Sequence, residues 1–185
     1  MRPRITGLAA AVVLAAGLFT STGTATAAPI GVGLPTIVDA AKDKAALKYP
    51  QARFFGAEAE LDQPPVSGVE GIEGWAVNFS DPSHPSGGFS YIYDIRGEYV
   101  ETVIWQPGVG IEAVEPFTMI EDKALAALRG SGVTEPFSEL YLAQPVVPDS
   151  EPIYYFCVVR GDEGQVTGVG TRSLEVFPDL FGCAP

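Results

Sequence analysis

The sequence predicts an α+β protein in which two helix-plus-antiparallel-meander repeats form one helix-covered antiparallel sheet. Three observations carry that expectation. The strand-like stretch Trp75-Ala76-Val77-Asn78-Phe79 has an echo in Tyr155-Phe156-Cys157-Val158-Val159, and each follows a helix-like stretch at a similar distance. The threonines placed to cap those helices, Thr36 and Thr118, stand 118 − 36 = 82 residues apart, as do Trp75 and Cys157 (157 − 75 = 82). A meander of three or four strands under one small helix is also marginal alone. Joining two such units edge to edge lets both helices cover one larger sheet and hides an edge strand of each.

The organisation read from this pattern is a signal peptide over 1–27, a first α+β repeat over 28–111 and a second over 112–185, ending in a disulfide-pinned tail. Arg2 and Arg4, an apolar run over 8–19 and the small residues Ala25-Thr26-Ala27-Ala28 have the make-up of a secretory leader cleaved after Ala27, with Ala28 the alternative site. The run is too short to cross a bilayer comfortably, so a secreted, extracellular protein is expected, with no membrane partner. Cleavage leaves 185 − 27 = 158 residues and moves the formal charge from −12 to −12 − 2 = −14. Such a balance repels nucleic acid and anionic membrane surfaces. Cys157 and Cys183 are the two cysteines, and in an exported chain they pair. The closed loop of 183 − 157 = 26 residues corresponds to about 3 kcal/mol in the chain-entropy account.

Taken in order, the first helix is expected to start from Thr36 as N-cap, with Asp39 in its first turn. Its apolar stripe is Ile37, Val38, Ala41, Ala45 and Leu47, and Pro50 bars continuation. A strand follows over 54–61, with Phe55, Ala57, Ala59 and Leu61 inward. After a proline- and glycine-rich loop over 63–71 comes the strand 72–79, with Trp75, Val77 and Phe79 inward. A polar loop over 81–88 leads to strands over 89–95 and 99–105, joined at Arg96-Gly97; both faces of the second are expected to be partly covered. Past a connector over 106–116 the order restarts. Thr118 and Glu121 form a capping-box pair for a helix stopped by Gly130 and Gly132. Strands are expected over 137–143, 153–159 and 165–171, with a tail over 174–181 and a fourth strand clear only in the first half. The 82-residue offset puts Cys157 on the Trp75 side; if Tyr154, Phe156 and Val158 face inward instead, the cysteine is free for a surface staple.

Lys48-Tyr49-Pro50-Gln51-Ala52, between helix and strand, resembles the Tyr-Pro-Gly-Ala turn of PepSY-like domains, with Gln51 in place of glycine. Tyr93-Asp94-Ile95-Arg96-Gly97-Glu98-Tyr99 is similar to the Asp-x-x-x-Gly-x-Val hairpin that closes that unit, with Tyr99 in place of valine. The resemblance covers about 36–103 and, more dimly, 118–170, while the loops 63–71 and 81–88 are longer than the family pattern. It implies a small α+β module of the kind that inhibits peptidases or binds other proteins, without a shared catalytic residue. Gln106-Pro107-Gly108-Val109-Gly110 resembles the Gln-x-Val-x-Gly hairpin with which cystatins enter a papain-like cleft, although glycine holds the central valine position.

Catalytic constellations are thin. His84, the single histidine, shares a polar loop with Asp81, Ser83 and Ser86, but a triad needs a base held by a packed third group, so a solvent-exposed turn histidine is expected. The carboxylate pairs Glu58/Glu60, Asp149/Glu151 and Asp162/Glu163 read as solvated surface, and no pair fits a recognisable calcium loop. Neither metal nor cofactor is expected. An exposed sheet face bearing aromatics is the feature that points to binding, with Trp105, Val109, Tyr91 and Tyr93 as candidate contacts. The function expected is a secreted, non-enzymatic protein-binding module whose partner is an extracellular protein, in its most concrete form an inhibitor of a peptidase or other hydrolase. The alternatives are a small-molecule carrier or structural module, with a closed apolar cavity, and a small exported hydrolase using carboxylates such as Glu101 and Glu112.

Overall fold

A computed structural model describes residues 31–105, 113–147 and 149–185. The leader sequence, Val109, Glu112 and the cystatin-like stretch lie outside the described residues. The first half runs α1 (Leu34–Lys48), β1 (Arg53–Leu61), a 3-10 turn (Val69–Gly71), β2 (Ile72–Ser80), β3 (Gly88–Asp94) and β4 (Tyr99–Trp105). The second runs α2 (Glu121–Gly130), β5 (Phe137–Ala143), β6 (Ile153–Arg160), β7 (Glu163–Gly170) and β8 (Val176–Cys183). The eight strands of the described residues belong to one antiparallel sheet in the order β4-β3-β2-β1-β5-β6-β7-β8. The sheet is open, the two helices lie against one face, and the two meanders meet where β1 pairs β5.

Both helices start elsewhere than their threonines suggest. α1 begins at Leu34 from Gly33, because Pro35 fits the first turn, where its missing N–H is not needed. Thr36 is therefore inside the helix, and Asp39 is past the first turn. α2 begins at Glu121 from Ile120, without a side-chain cap. The residues before it are held in the core: Met119 is buried, and the buried Tyr154 hydroxyl donates to its carbonyl at 2.8 Å. Glu121 does not close a capping box with Thr118. Its carboxylate accepts the N–H of Leu34 at 3.1 Å, so α2 supplies the acceptor for the start of α1. Leu47 is 90 % exposed. At about 100° per residue it falls off the stripe of Leu34, Ile37, Val38, Ala41 and Ala45 that the core buries.

β1 carries an irregularity between Phe54 and Gly56. Phe54 pairs Phe79 and is buried, while Phe55 turns to the other face, reversing its expected side; Ala57 keeps its inward place. β5 repeats the device between Phe137 and Glu139. In β2, Trp75, Val77 and Phe79 are in the core as expected; in β6 the inward residues are Tyr154, Phe156 and Val158. The counterpart of Trp75 is thus Tyr154 rather than Cys157, an offset of 154 − 75 = 79. Ala57 pairs Val77, a separation of 77 − 57 = 20, whereas Leu140 pairs Phe156, a separation of 156 − 140 = 16, so the first half is longer by four residues here.

The tail is a full strand, β8, so each half has four. β4 is solvated on both faces rather than partly covered: Val100, Val103 and Ile104 are all exposed. Cys157 and Cys183 form the expected disulfide, with Cα atoms 6.0 Å apart. The bridge crosses β7 above Gly164, where a Cβ would lie 2.9 and 3.1 Å from the two sulfurs. Removing the bridge by Cys157→Ser with Cys183→Ser should lower urea-unfolding stability by about 3 kcal/mol. Glu121→Ala should cost about 1–2 kcal/mol in the same assay, because the Leu34 N–H loses a charged acceptor. Glu121→Gln, which keeps an acceptor oxygen, should cost less.

The uncovered sheet face as candidate binding surface

Side chains that alternate with the core residues form a second, helix-free surface. One cross-strand row runs over its full width through Glu101, Ile92, Ala76, Glu58, Tyr141, Tyr155, Gly168 and Phe177. In the first half this face dips into an open trough of about 350 Å³ lined by Phe55, Glu58, Ala76, Asn78, Ser90, Ile92, Val103 and Trp105. The small side chains of Ala76, Asn78 and Ser90 make its floor, and the Ser90 hydroxyl reaches the Asn78 side-chain oxygen at 2.5 Å. Across that floor the rings of Phe55 and Trp105 approach to 5.0 Å, an approach that exists because the β1 irregularity turns Phe55 outward. The Trp105 indole N–H is buried and finds no acceptor among the described residues.

Beside the trough, Tyr141 and Tyr155 stack with ring centroids 4.9 Å apart. Loss of hydration, then Tyr155 and Glu139, push the Tyr141 phenol up to about 12. Glu58 stays solvent-accessible at the edge of the trough, but its carboxyl is raised above the ordinary glutamate range by partial desolvation, then by Glu139 and Glu60.

Of the residues singled out in the sequence, Trp105 lies on this face. Tyr91 and Tyr93 do not. They pair with Val77 and Trp75, share their inward parity and are buried under α1, out of reach of a partner. The ring of His84 is half-buried rather than exposed, packing 5.1 Å from Tyr49 and 5.6 Å from Phe89. Its Nδ1 lies 2.7 Å from the Ser86 hydroxyl, which donates to the Gly88 carbonyl. Asp81 instead accepts from the Ser83 N–H and hydroxyl at 2.7 and 2.6 Å, so these four residues form two turn-closing pairs rather than a relay. Glu101 is exposed on β4. Among the described residues no three His, Cys, Asp or Glu side chains gather in a way that holds a metal ion. Nor is any helix there long and apolar enough to cross a membrane.

Phe55, Ile92, Val103 and the Tyr141/Tyr155 pair were not singled out as contacts. Parity opposite to Trp75, Val77 and Phe79 marks the open face in the sequence; across the ladder it selects Ile92 and Ser90, and Tyr91 and Tyr93 do not satisfy it.

No family model and no curated protein sequence matches the chain. Among solved structures, a "putative lipoprotein" from Clostridium difficile 630 is similar, with a TM-score of 0.58 at 13 % identity, covering 86 % of this chain and 97 % of that one. At this identity the likeness is one of fold. It extends across both halves.

The raised Glu58 carboxyl fixes a pH dependence. An acid whose folded value exceeds its unfolded one is a cost only when ionised. That cost is absent below about 4.5, grows as pH rises through the folded value and is complete above it. Glu58→Gln should therefore melt at a higher temperature than the parent chain in mildly alkaline buffer, and the gap should close on acidification, as read by circular dichroism.

Proposed function

We propose that this chain is a secreted, non-enzymatic protein-binding module that meets an extracellular partner with the uncovered face of its sheet. Inhibition of a peptidase or other hydrolase is the most concrete form of that role. The observation that carries the reading is the trough of Phe55, Ile92, Val103 and Trp105, an aromatic and aliphatic depression on a face that neither helix covers. Seven strand spacings of about 4.8 Å and strands of about 24 Å give a surface of roughly 800 Å², the area that one partner contributes to a standard protein–protein interface. Tryptophan in a partly enclosed site is also the residue type that most often dominates such interfaces.

Export is supported by the leader-type sequence over 1–27, and the description of the structurally similar Clostridium protein as a lipoprotein agrees with it. The PepSY-like stretches support the same functional class. Lys48-Tyr49-Pro50-Gln51-Ala52 turns the chain out of α1 into β1. In the β3–β4 turn, Asp94 accepts the N–H groups of Arg96 and Glu98, and Gly97 takes a φ of +78°.

A photo-crosslinking residue at Val103, with one at Leu47 on the helix side as control, should be exposed to the secreted proteins of the producing cell. Adducts are expected from position 103. They should be lost on Trp105→Ala, which should weaken the identified complex by about tenfold or more. Adducts at 47 alone, or from neither position, would overturn the reading.

A further inference from the structure

The two faces of the sheet differ in the charges that the chain itself supplies. All four lysines, Lys42, Lys44, Lys48 and Lys123, lie on α1 and α2. On that side aromatic rings already have cations over them: Lys44 is 3.7 Å from the ring centre of Tyr99, and Lys42 is 5.1 Å from that of Phe54. Among the described residues four arginines are similarly engaged. Arg96 pairs with Asp94 and Glu98, Arg160 with Glu135 and Asp179, and Arg172 with Glu115 and Glu151. Arg129 spends its guanidinium on the carbonyls of Val133, Glu135 and Ser67. Arg53 is the exception: it lies at the margin of the uncovered face, in the row Arg53, Ser80, Gly88 and Trp105, and makes no ion pair with a described residue.

Apart from Arg53 at its margin, the charges on the uncovered face are acidic. Glu58, Glu60, Glu101 and Glu139 project from β1, β4 and β5, and none makes an ion pair with a described residue. Glu58 stands opposite Tyr141 in the ladder, next to the Tyr141–Tyr155 stack and at the edge of the trough. Carboxylates and aromatic ring faces both attract cations, and the apolar walls beside them lower the local dielectric, which strengthens that attraction.

We propose that the partner seated on this face is cationic. A protein surface bearing lysine or arginine would set those side chains beside Glu58 and the Tyr141–Tyr155 pair and place aliphatic neighbours against Ile92, Val103 and Trp105. The inference rests on the reading that the uncovered face is a protein-binding surface, and it adds the chemistry of the partner. Complementary charge of this kind speeds encounter and excludes acidic competitors.

The test uses the disulfide-bonded secreted chain, isotopically labelled, and three acetylated seven-residue probes. In all three, leucine alternates with a second residue: lysine, serine or glutamate. The lysine probe should move the signals of Ala76, Tyr141 and the Trp105 indole saturably, and its affinity should fall about tenfold or more from low to moderate salt. Glu58→Gln with Glu139→Gln should weaken it about fivefold or more, while Asp43→Asn on α1 should not. Unchanged core signals establish that each variant is folded. If the serine or glutamate probe moves the same signals as strongly, or the double variant binds the lysine probe as well as the parent does, the cationic assignment is overturned and the binding face stands. If every probe leaves this face unmoved, or moves only helix and loop signals, both readings fall.

Discussion

β1 and β5 touch through three registered pairs, Gly56 with Ala143, Ala57 with Leu142 and Glu58 with Tyr141, and on that short ladder the rest of the molecule depends. Before they meet, each is the exposed edge of a four-stranded meander, with unpaired backbone groups and a core too small to be secure. Pairing them satisfies both edges and pools the two helices over one sheet. Approach at this point requires Gly56: a Cβ there would sit 2.8 Å from the Leu142 carbonyl oxygen. Secondary ties reinforce the seam. Val66 and Phe137 exchange two backbone hydrogen bonds, Val114 donates to the Phe54 carbonyl, and Arg129 on α2 reaches Ser67 in the first half.

The seam also creates the surface to which a function is assigned here. Both helices pack on one side, so the other side is continuous from β4 to β8, and Glu58 and Tyr141 come together because their strands pair. A trough in one meander alone would be a dent in an edge. Placed in the joined sheet, it is bordered by the Tyr141–Tyr155 stack and by carboxylates from both halves. The same arrangement explains why Glu58 is held above its ordinary range: the folded sheet removes part of its water, and β5 then brings Glu139 toward it.

The architecture was legible because hydrophobic periodicity and turn chemistry are local. Trp75, Val77 and Phe79 alternate cleanly, and the capping and turn residues punctuate two similar halves. What escaped was set by tertiary contacts. The irregularity at Phe54–Gly56 reverses Phe55 beside a glycine, a residue type that often marks a bulge inside a strand, whereas its copy at Phe137–Glu139 has no glycine to mark it. Thr36 and Thr118 are good caps in isolation, but Pro35 opens one helix earlier, and the burial of Met119 delays the other. The side taken by Cys157 was ambiguous by one parity step. Its resolution sends Tyr155 outward with the cysteine and Tyr154 inward. Tyr91 and Tyr93 looked like contacts because tyrosines on strands often are; their pairing with Val77 and Trp75 buries them.

Amide hydrogen exchange across the seam tests the account most directly. If the two meanders form one cooperative sheet, the protected amides at 56–58 and 141–143 should exchange only by global unfolding, at the free energy measured for the centres of β2 and β6. Seam amides that exchange well before those centres, with each half opening at its own free energy, would show two units in loose contact. They would also remove the continuous face on which the proposed binding role rests.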